Sequence, residues 1–154
     1  MAISTGSGVI LAIGTTAAAP SLAQFQADSY TNVGEVEDLG EFGDESEEIR
    51  FTSLTDGRVR KLKGPRDAGT IQVVCGDDDN DVGQLEMTAA EANTLDYNFR
   101  ITLNNKQTLG GTNGVQYFRG KVMSKRLQIG QANSTLRRRF NVGINSAIVV
   151  VAST

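Results

Sequence analysis

Alternation of apolar and polar residues marks the second half of this chain. Over residues 97–104 every second side chain is aromatic or aliphatic, and a period of two is typical of a half-buried β-strand. Residues 136–144 alternate similarly, except that Arg138 stands in the otherwise apolar series. Residues 115–129 are long enough for one extended or bulged strand, and Gly120 is the predicted position of the bulge. A β-branched, uncharged strand is predicted at 147–152.

Shorter β-type segments occupy the first half. Residues 49–54 and 59–65 are predicted strands on either side of the turn signal Thr55-Asp56-Gly57, and the Gly64-Pro65 pair is predicted to end the second strand. Residues 70–75 predict a strand that is buried on both faces, because the run is short and rich in β-branched residues.

The first 29 residues are mostly small and polar and carry one charge, Asp28. Their apolar stretch, Val9–Ile13, is a weak match to a secretion signal, because no Lys or Arg precedes Arg50. A first strand or a docking arm fits better. Since such a segment buries little surface by itself, we expect the arm to be either loose or held by neighbouring elements.

One helix is predicted, over residues 81–93. Asp81 is a suitable N-cap, and Gln84 three residues later allows a capping box. The apolar residues at helical spacing are Val82, Leu85, Ala89 and Ala92. We expect this stripe to pack on a sheet. Many short strands and one flanking helix predict a mainly β, sandwich or barrel-like single domain over residues 1–154.

The residue types disfavour catalysis. The chain has no His, which removes the commonest general base and metal ligand. Asp77, Asp79 and Asp81 match the first ligands of a calcium loop, but Val82 and Thr88 stand where that loop needs Gly and Glu. We therefore predict no catalytic, metal or cofactor site. No apolar run is long enough to span a bilayer, so no membrane partner is predicted.

Cys75 is the single thiol of the chain. It lies in the apolar run 71–75, so a buried small hydrophobic residue is the favoured interpretation over a reactive thiol. One cysteine forms no disulfide within the chain, and a reducing compartment fits this composition.

Charge is divided along the chain. All 18 acidic residues lie at or before Asp96, whereas residues 97–154 carry nine basic residues and no acid. The acids are densest in a predicted Gly-rich loop or hairpin at 34–48, and the bases follow the strand-rich C-terminal half. Opposite potentials steer encounter and fix register between molecules. We therefore expect this split to join copies of the chain.

The basic residues leave alternatives open. They could bind the phosphates of a nucleic acid, pair with acids of neighbouring subunits, or form a solvated face. Alternation sends Arg138 to the face opposite Arg137 and Arg139, so the triplet is not one patch. Tyr117 and Phe118 are the nearby aromatic residues, and they form no clear stacking array for bases. A nucleic-acid-binding β-barrel that uses the basic half is the alternative function.

The segments GEVEDLGEFG at 34–43 and EIRFTSLTDGRVRKLKG at 48–64 resemble tail tube proteins of long-tailed bacteriophages. The order of elements agrees over most of the chain. The resemblance implies a β-sandwich flanked by a helix, six-subunit rings, and rings stacked into a hollow tube through which genomic DNA leaves the capsid. The length favours the flexible, non-contractile type. A tail terminator or a secretion-tube protein of the same fold is the alternative.

The resemblance also implies partners and a place. The partners would be further copies of the chain, a tape measure protein, tail tip and terminator proteins, and DNA in transit. The protein would be made in the cytoplasm of the bacterial host and would reside in the virion tail, as a structural protein rather than an enzyme.

Two clusters are the candidate sites of assembly. The acidic cluster is expected at the lumen or at the seam between rings, and consists of Glu35, Glu37, Asp38, Glu41, Asp44, Glu45, Glu47 and Glu48. The basic cluster is expected between subunits, and consists of Arg119, Lys121, Lys125, Arg126, Arg137 and Arg139.

Overall fold

The computed structural model describes residues 3–154 and confirms a mainly β fold. Its strands are β1 (Ile10–Ile13), β2 (Thr31–Asn32), β3 (Val36–Asp38), β4 (Glu45–Thr52), β5 (Val59–Asp67), β6 (Thr70–Gly76), β7 (Tyr97–Thr102), β8 (Val115–Gln128), β9 (Arg137–Ile144) and β10 (Val149–Val151). Its helices are α1 (Leu22–Ala27) and α2 (Val82–Glu91). The sequence predicted α2 and missed the six-residue α1.

Eight strands form one antiparallel sheet that curls into a half-barrel. The order is β2-β1-β7-β8-β9-β6-β3, and β10 pairs with the first half of β8. The concave side holds the main core, in which Phe99 stacks on Phe118 with their ring centroids 5.3 Å apart. Helix α2 closes this core through Met87 and Ala90, both fully buried.

The N-terminal arm is held against the opposite face of the same sheet. Phe25 of α1 stacks on Tyr117 of β8 with a centroid separation of 5.5 Å. The Asp28 carboxylate accepts hydrogen bonds from Thr15 and from the buried amide of Asn98. Burial raises the pKa of Asp28, but these hydrogen bonds outweigh it and hold the pKa below its ordinary value. The part of the arm after β1 is therefore a second, smaller layer, whereas β1, where a first strand was predicted, belongs to the sheet itself.

The predicted bulge lies at a different residue. The register between β8 and β9 shifts between Val122 and Ser124, so Met123 rather than Gly120 is the extra residue. Gly120 instead allows the backbones of β8 and β9 to lie close together, because a Cβ at this position would lie 2.5 Å from the carbonyl oxygen of Gly143. Both a bulge and a close backbone contact favour glycine in a strand, and sequence alone does not separate them.

Strand β5 continues through Gly64-Pro65, so the predicted strand end is wrong. The pairs Ser46 with Arg66 and Glu48 with Lys63 enclose a register shift, and Pro65 lies inside it. A proline is tolerated there because a bulge on an edge strand does not need its missing N–H.

Helix α2 begins where it was predicted, but the expected packing face is wrong. The Asp81 carboxylate accepts from the backbone N–H of Gln84, as an N-cap does. The buried residues are Gly83, Gln84, Met87 and Ala90, whereas the predicted stripe of Val82, Leu85, Ala89 and Ala92 faces outward. A Cβ on Gly83 would lie 2.1 Å from the carbonyl oxygen of Asn32, so the glycine face is the one that fits closely.

We predict that Met87→Ala lowers the free energy of unfolding by about 2–5 kcal/mol, because it leaves a cavity between α2 and the sheet. The matched control is Leu85→Ala on the outward face, which should change it by no more than about 0.5 kcal/mol. Urea denaturation of the monomeric protein, followed by circular dichroism, measures both values. Equal losses would show that the face is wrongly assigned.

Candidate assembly interface

The hairpin formed by β4 and β5 stands apart from the rest of the fold. The two strands pair with each other as a separate two-stranded sheet. Nearly every residue of both strands is exposed. An isolated two-stranded hairpin is at best marginally stable in water, and its edges offer unpaired backbone groups. Such an element is stabilised when another surface covers it.

The hairpin is amphipathic. Ile49 lies opposite Leu62, and Phe51 lies opposite Arg60. These pairs are two residues apart on each strand, so one face of the ribbon carries three large apolar side chains. Their exposed fractions are 45% for Ile49, 56% for Phe51 and 58% for Leu62. The opposite face carries Glu48, Arg50, Lys61 and Lys63.

The sequence missed this apolar face. The alternation of Ile49 and Phe51 with Arg50 and Thr52 was a usable signal. However, it does not say that Leu62 completes the same face, because that depends on the pairing register across the turn.

The eight predicted acidic residues are spread over three places instead of one loop or hairpin at 34–48. Glu35, Glu37 and Asp38 lie in or just before β3, Glu41 and Asp44 lie in the following loop, and Glu45, Glu47 and Glu48 lie at the start of β4. The Asp44 carboxylate pairs with Arg66 at 2.9 Å. Glu48 contacts Arg50 and Lys61 at 3.4 and 3.6 Å. The acids are exposed, and several are partly neutralised within the chain.

Three of the six predicted basic residues are engaged within the subunit. Lys121 Nζ donates to Asp96 Oδ1 at 2.7 Å. The Arg119 guanidinium donates to the backbone oxygens of Asp96 and Thr16 at 3.3 and 3.2 Å. Arg137 forms an ion pair with Glu37. These contacts join β8 and β9 to neighbouring segments of the same chain.

The other three basic residues are freer. Arg126 lies opposite Arg139 where β8 and β9 extend together. Arg139 Nε donates to the side-chain oxygen of Gln128 at 2.8 Å. Across residues 3–154, Lys125, Arg126 and Arg139 have no carboxylate within ion-pair distance. The exposed Arg126 and the half-buried Arg139 therefore form a positive patch without an ion pair among the described residues, on one face of the sheet.

Arg138 points to the other face, as the alternation predicted. Its guanidinium lies 3.1 Å from Asp77 Oδ1, and both side chains are largely buried. The neighbouring acids have local roles as well: Asp78 accepts from the backbone N–H of Asn80, and Asp81 caps α2. Within the described residues, no group of three or more Cys, Asp or Glu side chains is arranged to hold a metal ion.

Cys75 is fully buried, as predicted, and its Sγ contacts the backbone oxygen of Arg138. Burial, with the nearby carboxylate of Asp77, raises the pKa of this thiol to about 11. A thiol in this state is nearly all protonated at neutral pH, so it is a poor nucleophile.

No helix within residues 3–154 has both the length and the apolar character that a membrane crossing requires.

Comparison of the sequence with models of protein families and with curated proteins finds no match. Comparison of the structure with solved structures does find matches. A subunit of the SPP1 tail tube superimposes with a TM-score of 0.66 at 14% identity, over 96% of this chain and 78% of that one. A chain of the anti-feeding prophage baseplate gives 0.71 at 10% identity, over 97% and 98%.

This chain has the tail tube fold. A sheath/tube terminator of an extracellular contractile injection system has it too, with a TM-score of 0.66 at 12% identity and 97% coverage of each chain. Tubes, baseplates and terminators therefore share this architecture. Because proteins of all three kinds share the fold, the fold alone does not indicate which role this chain has. The exposed surfaces are the features that can distinguish between these roles.

The ion pair between Asp96 and Lys121 makes a contribution to stability that depends on pH and can be measured. The hydrogen bond from Lys121 is the main cause that holds the pKa of Asp96 below its ordinary value of 3.8, against burial, which raises it. A lowered folded-state pKa stabilises the fold above the unfolded pKa, and this stabilisation is lost as the pH falls through the folded value.

We predict that Asp96→Asn costs stability at pH 7 and costs less at pH 3, where protonation has begun to weaken the wild-type contact. Urea denaturation of the monomeric protein at both pH values measures the difference. Asp79→Asn, at an exposed acid outside the ion pairs of the described residues, serves as the control and should show little dependence on pH. The same cost for Asp96→Asn at both values would contradict the role of the Lys121 contact.

Proposed function

We propose that this protein is a structural subunit that assembles with copies of itself, as stacked six-subunit rings, into a hollow tail tube. The observation that carries the proposal is the exposed, amphipathic β4–β5 hairpin on a tail tube fold. An apolar ribbon face of this kind is an aggregation hazard in a monomer, whereas closed, repeated contacts between copies remove the hazard.

The exposed charges support the same proposal. The acidic cluster, defined above, faces the lumen or the seam between rings, where it repels the phosphates of DNA in transit. The patch of Arg126 and Arg139 faces a neighbouring copy, and so does Lys125 on the other face of β8. Arg119, Lys121 and Arg137 stand at the same boundary and already hold their own subunit together. Complementary fields would set the register of the subunits.

Under this proposal the protein lies in a virion tail after synthesis in the host cytoplasm. Its partners are a tape measure protein, tail tip and terminator proteins, and the genomic DNA. Its work is mechanical containment rather than catalysis. The acidic residues would have to serve as catalysts, but they cap a helix, form ion pairs or are exposed to solvent.

A tube terminator is the second candidate. The match to the injection-system terminator covers nearly the whole of both chains and equals the tail tube match in TM-score. A nucleic-acid-binding β-barrel has less support, because Lys121, Arg137 and Arg138 already pair with carboxylates of the same chain.

Negative-stain electron microscopy of the purified protein tests the proposal. We expect open-ended tubes of stacked rings across a range of protein and salt concentrations. Isolated single rings would favour the terminator. Monomers at every concentration and ionic strength would overturn self-assembly, and a salt-sensitive gel shift with DNA in that case would favour the nucleic-acid binder.

We further predict that Arg126→Glu with Arg139→Glu raises the protein concentration needed for assembly about tenfold or more. The reason is that like charges brought together at an interface cost several kcal/mol, and about 1.4 kcal/mol corresponds to a tenfold change in the dissociation constant. Sedimentation measures the assembled fraction. The matched control is Lys106→Glu, an exposed base in the loop after β7, which should assemble normally. Wild-type assembly by the double variant would contradict the role of the patch.

A further inference from the structure

Helix α2 carries two apolar faces, and the fold uses only one of them. Met87 and Ala90 are buried against the sheet, whereas Val82 is 59% exposed and Leu85 is 52% exposed. Ala89 continues this outward row at helical spacing. A surface helix normally turns charged and polar residues to solvent. We call Val82, Leu85 and Ala89 the outer stripe of α2.

The outer stripe lies in an acidic surround. Residues 76–96 hold seven acids and no base. Asp77 and Asp96 are used by Arg138 and Lys121, and Asp81 caps the helix. The acids without an ion pair among the described residues are Asp78, Asp79, Glu86 and Glu91. This surface therefore presents an apolar strip with uncompensated negative charge around it.

The β4–β5 hairpin offers the opposite combination. Its apolar face is Ile49, Phe51 and Leu62, as described above. Residues 48–63, the outer part of the hairpin, hold five bases and two acids. Glu48 contacts Arg50 and Lys61, and Asp56 pairs with Arg60. Of these bases, Arg60 lies on the apolar face itself, opposite Phe51. The hairpin is thus an apolar strip with excess positive charge.

The apolar strip of the hairpin is short enough to lie along the outer stripe of α2. Ile49 to Phe51 spans about 7 Å of strand, and Val82 to Ala89 spans about 10 Å of helix. Since Phe51 and Leu85 are both exposed, the hairpin and the helix of one subunit do not cover each other. Complementary charge and unsatisfied apolar area on both sides point to a second copy of this chain as the occupant.

We propose that the apolar face of the β4–β5 hairpin of one copy packs on the outer stripe of α2 of another copy. The inference rests on the proposed self-assembly and specifies one contact within it. Burial of apolar side chains supplies the favourable free energy, and the bases of the hairpin and the acids around α2 set the orientation.

Disulfide cross-linking between two separately purified variants tests the contact. Leu62→Cys places a thiol on the apolar face of the hairpin, and Leu85→Cys places one on the outer stripe; an affinity tag on one chain identifies the mixed dimer. The matched control replaces Leu62→Cys with Lys61→Cys, which lies on the opposite face of the same strand. Buried Cys75 should not cross-link, and wild-type protein checks this.

We expect several-fold more mixed dimer from Leu62→Cys with Leu85→Cys than from Lys61→Cys with Leu85→Cys. Equal yields, or no mixed dimer while microscopy shows rings or tubes, would overturn this contact and leave the proposed function standing. The absence of any assembly by the wild-type protein would overturn both.

A second pair of variants tests the hairpin face without cysteines. Phe51→Asp places an acid on the apolar face, towards the acidic surround of α2, and should raise the concentration needed for assembly several-fold. Val59→Asp places the same acid on the other face of the hairpin, at a residue of similar exposure, and should have little effect. Sedimentation compares them, and equal effects would contradict the docking face.

Discussion

The side chain of Gln84 is the constraint on which the arrangement of surfaces depends. It is buried, and its amide nitrogen donates to the backbone oxygens of Gly34 and Gly76 at 3.2 and 2.8 Å. Its amide oxygen accepts from the backbone N–H of Asp78 at 3.2 Å. A buried polar group without such partners is costly. These bonds join α2 to the segment before β3 and to the end of β6, and so they determine which side of the helix faces inward.

That orientation leaves the molecule with two unsatisfied apolar surfaces. The outer stripe of α2 is one, because Gly83 and Met87 occupy the close contact with the sheet. The hairpin face around Phe51 is the other, because neither strand of the hairpin joins the eight-stranded sheet. A subunit with this pair of surfaces is well suited to a repeating assembly. The chain also has the fold of solved tail tube and baseplate proteins, at 10–14% identity.

The charge pattern works at two scales. Along the chain, acids and bases are almost completely separated, and we interpreted the separation as a means of joining copies. In the folded chain many of these charges form ion pairs with one another: Glu37 with Arg137, Asp77 with Arg138, and Asp96 with Lys121. These pairs connect residues that are 25 to 100 positions apart. The charges outside these pairs include Arg126, Arg139 and the acids around α2, and they are available to a neighbour under our proposal.

Local rules determined much of this protein in advance: strand periodicity placed β7 and β9, a short β-branched run placed β6, and the Asp81 cap placed the start of α2. The missing histidine lowered the expectation of chemistry. Only the tertiary structure decided which apolar stripe of α2 is buried, where the bulge in β8 falls, and which bases are already paired. The physical reason is that a period or a cap depends on neighbours in sequence, whereas burial, register and ion pairing depend on segments that are distant in sequence and meet only in the folded chain.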